Sequence, residues 1–241
     1  MLDRSLAILD AVESGHRSFT AIVEATGLSR PTAHRLIKAL EDHGLLAFVG
    51  GRGYGLGPRL LRLAATAMRE LPLRDLAHPA LERLAMTTSE SAQLFVRSGN
   101  ERICVDAVEA ASELRTIVPV GAGLPLTAGS AGKVFLAWAS DVDRKRLLRR
   151  VPRFTTDTPS AERLLEEVAT VRLRGWAMSS GEREPGVASV SAPVFGPHGG
   201  LAAVVSVSGP HTRVGRFRAR RYAPAVLAAA GEIQRSLGYA S

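Results

Sequence analysis

Residues 27–46, GLSRPTAHRLIKALEDHGLL, decide how the chain is read. Ser29 stands where a hydroxyl caps a helix by accepting from an open first-turn amide. Pro31 follows in that turn, where a missing N–H costs nothing. Ala33, Leu36, Ile37 and Leu40 recur at the i, i+3, i+4, i+7 spacing of a helix with one buried face. Gly44 is placed to close that helix in a left-handed conformation. The opposite face carries Arg30, Thr32, His34, Arg35 and Lys38, with no acid before Glu41. A helix apolar on one side, and basic and hydrogen-bonding on the other, suits the major groove of duplex DNA.

Working outward, residues 2–14 read as a helix with Leu2, Leu6, Leu9 and Val12 on one face, ended by Gly15. Ser18 caps a short second helix with Phe19, Ile22 and Val23 inward, and Gly27 ends it. Gly27-Leu28-Ser29 then makes a tight helix–turn–helix connection. Downstream, residues 45–57, LLAFVGGRGYGLG, alternate Leu46 and Phe48, turn at residues 50–53, and alternate again at Tyr54 and Leu56. That pattern is a β-hairpin. Residues 1–57 therefore read as a winged helix–turn–helix with Arg52 at the wing tip. Its candidate DNA contacts are Ser29, Arg30, Thr32, His34, Arg35, Lys38 and Arg52. Each has a plainer reading: Arg35 and Lys38 as a solvated face, His34 as a surface histidine. What favours DNA is the coincidence of caps, apolar phase, basic face and wing in one order.

Composition agrees with a polyanionic partner. The 241 residues carry a net charge of +8, and 46% hydrophobic with only 5% aromatic residues implies an aliphatic core. Cys104 is the only cysteine, so no internal disulfide forms, and in the apolar run ICVDAV it reads as a buried, inert thiol. The start, MLDRSLAIL, lacks the layout of a signal peptide, and no apolar run approaches the ~20 residues of a membrane span. A cytoplasmic protein is expected. The six histidines show no metal spacing, and no cofactor or metal is expected.

Residues 58–71, PRLLRLAATAMREL, form a further helix with Leu60, Leu61, Ala64, Ala67, Met68 and Leu71 on one stripe. It either packs on its own domain or, the preferred reading, pairs with its copy in a second subunit as a linker over residues 58–72. Two heads about 34 Å apart, or a multiple of that, would read a palindrome. Residues 73–241 change to a mixed pattern. LRDLAHPALERLAMTT is helical, with Leu73, Leu76, Leu81 and Leu84 in phase and Pro79 as a kink. SAQLFVR and RICVDAVE are strands joined at Ser98-Gly99-Asn100, and LRTIVPVG is a third. Residues 130–139, 141–151 and 160–174 are helical, the last closed by Gly175. WAMSS, VASVSAPVF and LAAVVSVSG are strands, and residues 218–237 form a helix with Tyr222, Val226, Ile233 and Leu237 inward. The sum is an α+β domain around an antiparallel sheet.

Small-molecule chemistry has one obvious place, residues 121–133, GAGLPLTAGSAGK, between a strand and a helix. Val134 after Gly132-Lys133 excludes a Walker loop. The loop is either a carboxylate cradle at a helix N-terminus or a glycine-rich turn packed on the sheet. Ala128-Gly129-Ser130-Ala131-Gly132 also lies near a nucleophile-elbow pattern. A serine hydrolase using Ser130, Asp157 and His198 or His211 is thus a competing class, though no second oxyanion donor is apparent. Ser189 with Ser191, and Ser206 with Ser208, share strand faces at two-residue spacing. Their hydroxyls either bond locally or line a pocket.

Over essentially its whole length the chain resembles the IclR-type transcription regulators. The resemblance is carried by RSLAILDAV, GLSRPTAHRLIKALEDHGLL, GYGLGPRLLRLA, GLPLTAGSAGKVFLA, RGWAMSSGEREPGVASVSAPVF and LAAVVSVSGP. It implies a winged helix–turn–helix, a linker helix and a GAF-like effector-binding domain. It also implies a homodimer, often a dimer of dimers, and no enzymatic activity. Carried over by position, the family's pocket maps to Leu124, Ser130, Ala131, Ser179, Ser189, Ser206 and Ser208. Members that bind small oxo-acids have an acid at the place of Ser179 and some a cysteine at that of Ser189, so the resemblance implies a neutral, hydroxyl-lined pocket here. GEREPGVASVSAPV is similar to an NdgR-like branch. That branch implies control of leucine-type amino-acid metabolism, with an amino acid or carboxylate as effector.

Overall fold

The computed structural model describes residues 1–69, 72–215 and 218–239, without the side chains of residues 67–69 and 72. The chain falls into two compact units, Met1–Pro72 and Leu73–Ser241. Among the described residues no helix is long and apolar enough to cross a membrane.

In the first unit, α1 (Leu2–Glu13), α2 (Phe19–Thr26) and α3 (Arg30–Asp42) enclose Ile8, Val12, Ile22, Leu36, Ile37, Leu40 and Leu46. The expected phase of α3 holds, with Ala33, Leu36, Ile37 and Leu40 all buried. That of α1 holds only in part: Val12 is buried and Leu9 packs half-buried on the core, but Leu2 and Leu6 are exposed and Ile8 and Ala11 face inward. Two apolar stripes lie side by side on α1, and contact with α2 and α3 selects the second. Ser18 caps α2 by accepting from the Ala21 amide at 3.1 Å, and Gly27 ends it at φ 65°. Ser29 occupies the N-cap of α3 without accepting a cap bond, and its hydroxyl donates to Thr32 Oγ1 at 2.9 Å. Strands β1 (Leu46–Phe48) and β2 (Tyr54–Leu56) pair antiparallel across a single 3-10 turn at Gly50–Arg52. The hairpin is tied down at Gly53-Tyr54. The Tyr54 amide donates to the Arg17 carbonyl at 2.8 Å, and Gly53 passes that carbonyl so closely that a Cβ would lie 2.3 Å from its oxygen. Then follows α4 (Pro58–Arg69). Of its expected stripe, Leu61 and Ala64 are exposed and Leu60 is half-buried, while Leu71 and the Ala67 and Met68 side chains lie outside the described structure.

The second unit is a six-stranded antiparallel sheet covered by helices. Its strands are β3 (Ser91–Ser98), β4 (Glu101–Val108), β5 (Gly123–Pro125), β6 (Ala177–Ser180), β7 (Val187–Phe195) and β8 (Leu201–Pro210). They run in the order β5-β4-β3-β8-β7-β6. Helices α5 (Pro72–Thr88) and α10 (Ala219–Ser236) bury an aliphatic face built from Leu94, Val190, Ala192, Val205 and Val207. Helices α6 (Ser130–Trp138) and α8 (Ala161–Arg174) cover part of the other face through Phe95, Cys104, Ala177 and Val204. Also present are α7 (Asp141–Leu148), ending before the expected residue 151, and α9 (His211–Val214), which sequence reading did not anticipate. Helix α5 runs through Pro79, and Leu76, expected inward, is exposed.

The segment LRTIVPVG is not a strand. Its burial does alternate, with Thr116 and Val118 buried and Ile117 and Val120 exposed, but Pro119 has no amide to offer a ladder. Pairing with β4 begins only at Gly121 and Ala122, which exchange backbone bonds with Cys104 at 2.7 and 3.0 Å, and continues into β5.

Candidate functional site

The first candidate surface is the exposed face of α3. Ser29, Arg30, His34, Arg35 and Lys38 are exposed and Thr32 is half-buried. Phe19, projecting from α2, orders part of this face. The Arg30 guanidinium lies 5.2 Å from its ring centroid, and the His34 ring meets it edge-on at 6.3 Å. Lys38 pairs with Asp42 one turn on at 3.1 Å, which raises its pKa and answers part of its charge. Arg35 makes no hydrogen bond or ion pair with another described residue. Arg52 is exposed at the hairpin turn.

The second candidate lies on the polar half of the sheet in the other unit. Antiparallel register sets Ser179 beside Ser189, Ser189 beside Ser208 and Ser208 beside Ser91, making one row of hydroxyls across four strands. The neighbouring row is Ser191, Ser206 and Gln93. The hydroxyls bond to one another. Ser179 and Ser189 are 2.9 Å apart, Ser130 lies 2.6 Å from both Ser189 and Ser191, and Ser191 donates to Ser206 at 2.9 Å. Ser208 donates to Gln93 Oε1 at 3.0 Å.

Leu124, Ala131, Ser179, Ser189, Ser206 and Ser208 line one pocket. Ser130 sits behind that lining, on its two serine partners. The cavity volume, about 40 Å³, is well below the roughly 300 Å³ at which small-molecule sites begin.

Among the lining residues that the sequence did not point to, four are buried and polar: Gln93, Arg102, Thr116 and Glu182. Arg102 leaves one local sign, a cation inside a strand on the same side as Cys104, which does not tell what the side chain meets. It is 4% exposed, and its Nη1 donates to the carbonyls of Pro125 and Ala128, the latter at 2.9 Å. Burial and the nearby Arg183 charge lower its pKa to about 9. Glu182 answers the question of the loop amides. Its Oε2 accepts from the Gly129 amide at 3.0 Å, at the N-cap of α6, while Oε1 accepts from buried Lys133. An internal carboxylate thus occupies the cradle. Burial raises the Glu182 pKa against the pull of Lys133.

The hydrolase arrangement is absent among the described residues. Ser130 bonds to hydroxyls, His198 is exposed, and exposed His211 directs Nδ1 to the Gly186 carbonyl at 3.3 Å. No group of three or more metal-binding side chains occurs among the described residues.

Comparison with known proteins bears on both units. A family model described as the IclR helix-turn-helix domain matches residues 1–50, and one for the bacterial transcriptional regulator IclR C-terminal region matches residues 65–235. The HTH-type transcriptional regulator BhcR of Paracoccus denitrificans (strain Pd 1222) is 35% identical over 240 residues, covering 96% of this chain and 85% of that protein. The transcriptional repressor IclR of Escherichia coli (strain K12) is 29% identical over 245 residues, covering 98% and 89%. The structure of an IclR homolog from Microbacterium hydrocarbonoxydans, complexed with 4-hydroxybenzoate, matches at a TM-score of 0.82 and 25% identity, covering 98% of each chain. Matched in order over both its units, the chain is no enzyme but a member of the IclR family of DNA-binding transcriptional regulators.

Proposed function

We propose that α3 reads a palindromic operator from a homodimer or dimer of dimers, under the control of a small molecule held on the polar half of the sheet. Residues 1–57 act as the reading head, 58–72 as a linker and dimerisation helix, and 73–241 as a GAF-like effector domain. The observation that carries the reading is the exposed, basic, hydrogen-bonding face of α3, in a chain whose other unit holds a hydroxyl-lined pocket. Ser29, Arg30, Thr32, His34, Arg35 and Lys38 contact the major groove, and Arg52 the flanking backbone. The effector favours one arrangement of the paired second units, and the linkers transmit that preference to the spacing of the heads. Operator affinity then changes only by the ratio of effector affinities for the two arrangements. The resemblance of residues 181–194 to NdgR-like regulators supports a cytoplasmic regulator of leucine-type amino-acid metabolism. The 4-hydroxybenzoate bound to the Microbacterium protein supports an organic carboxylate as effector.

Arg35→Ala is expected to weaken binding to the protein's own promoter fragment at least tenfold while leaving the oligomer intact by light scattering. Unchanged affinity in a gel shift at fixed salt overturns the placement of α3. The small free volume favours a second reading, a regulator whose second unit binds nothing. A thermal-shift screen of amino acids and organic acids separates the two: operator binding that no compound alters selects the silent unit.

A further inference from the structure

Charges around the pocket cancel except at one residue. Lys133 and Arg163 face Glu167 and Glu182, and Arg183 pairs with Glu184 at 3.3 Å. Arg102 remains. Among the described residues no carboxylate lies within ion-pair distance of its guanidinium, and its buried Nε has no partner at all. The acid nearest to answering it, Glu182, has one oxygen on Lys133 and the other on the Gly129 amide. The Phe95 ring, its centroid 5.5 Å from Cζ, compensates weakly. The backbone is shaped to admit this cation: a Cβ at Gly129 would lie 2.8 Å from Nη2, and one at Gly132 3.1 Å from Nη1. A buried, unneutralised guanidinium in a pocket wall is costly unless an anion joins it. Guanidinium also offers the forked donors that suit a carboxylate.

We propose that Arg102 anchors the carboxylate of the effector, and that the effector is therefore a net-anionic organic acid rather than a zwitterionic amino acid. The inference rests on the effector-gated reading above and narrows its ligand. Glu182 already fills the helix N-terminus that would otherwise take the carboxylate, so the acid group turns to Arg102. An α-ammonium would find no free acid in the lining, where Ser179 and Ser189 present neutral hydroxyls. Those hydroxyls, with Ser206 and Ser208, instead receive a hydroxyl or carbonyl elsewhere on the ligand, and Phe95 and Val118 pack on its apolar part.

The test is calorimetric titration of the full chain with leucine, its α-hydroxy acid analogue, 4-hydroxybenzoate, and the primary amides of both acids. At least one acid is expected to bind the wild type at least tenfold more tightly than its own amide, with leucine as weak as the amides. In Arg102→Met, acid affinity should fall to that of the amide while amide affinity stays. Arg102→Lys, which keeps the charge but loses the fork, should retain part of the preference, and it carries the comparison if circular dichroism shows the Met variant unfolded. Equal binding of acid and amide to the wild type, loss of both together in the variants, or no acid binding at all overturns the assignment. Gel shifts on wild-type protein keep the two ideas apart. Operator binding without acid preference removes the anchor alone, whereas absence of operator binding removes the regulator reading.

Discussion

The Cys104 thiol has no exposed surface, and burial beside Asp106 pushes its pKa up to about 12. Since the thiolate is the reactive form, the native chain should not react with a disulfide reagent at pH 8 within an hour, and should titrate one thiol once unfolded. Rapid native labelling would contradict this burial. Ser191 is equally buried, joined to Ser130 and Ser206. Ser191→Ala leaves those hydroxyls with one partner fewer, at an expected cost of about 1–2 kcal/mol in urea unfolding. Cys104 and the serine pairs were legible in the sequence, because two-residue spacing within apolar strands fixes which side chains share a face. Arg102 and Glu182 were not: their meaning lies in contacts between β4, the loop before α6 and the turn after β6, which no local pattern encodes.

The hairpin of β1 and β2 passes close to the backbone between α1 and α2 at Gly53. Gly53 has φ 79° and leaves no room for a side chain against the Arg17 carbonyl. Gly53→Ala should lift the hairpin from the corner between α1 and α2, at an expected cost of roughly 1–3 kcal/mol. Amide exchange at Tyr54, the donor in that contact, should accelerate more than exchange within α3. Elements with a single apolar stripe between clear start and stop residues, α2, α3 and α8, are readable from the amino-acid sequence alone. Where the local signal was doubled or interrupted, tertiary packing decided. Two adjacent stripes on α1 hid the buried face, and Pro119 moved the edge strand from residues 114–121 to Gly123–Pro125.

For the molecule entire, the net charge of +8 and the exposed cations of α3 predict an electrostatic interaction with DNA. The logarithm of operator affinity should fall linearly with that of salt concentration, and Arg35→Ala should make the slope shallower if Arg35 meets a phosphate. An unaltered slope with lost affinity would assign Arg35 to a base edge instead. The chain divides into its two units at residue 73, and its sequence pattern changes near the same place. The occupant of the second unit was not legible in the sequence, because it depends on which charges find partners after folding.

One consequence of the serine rows concerns orientation rather than position. Ser179, Ser189, Ser130, Ser191 and Ser206 form an unbroken line of five hydroxyls, each able to give or take a proton bond. Such a line has two polarities, and reversing one member favours reversing the rest. With Ser191 donating to Ser206 the polarity runs from Ser179 towards β8, so a guest atom that gives to Ser179 fits the line as it stands whereas one that takes from it must turn the hydroxyls over, and the sheet distinguishes an N–H from a carbonyl without moving a single strand.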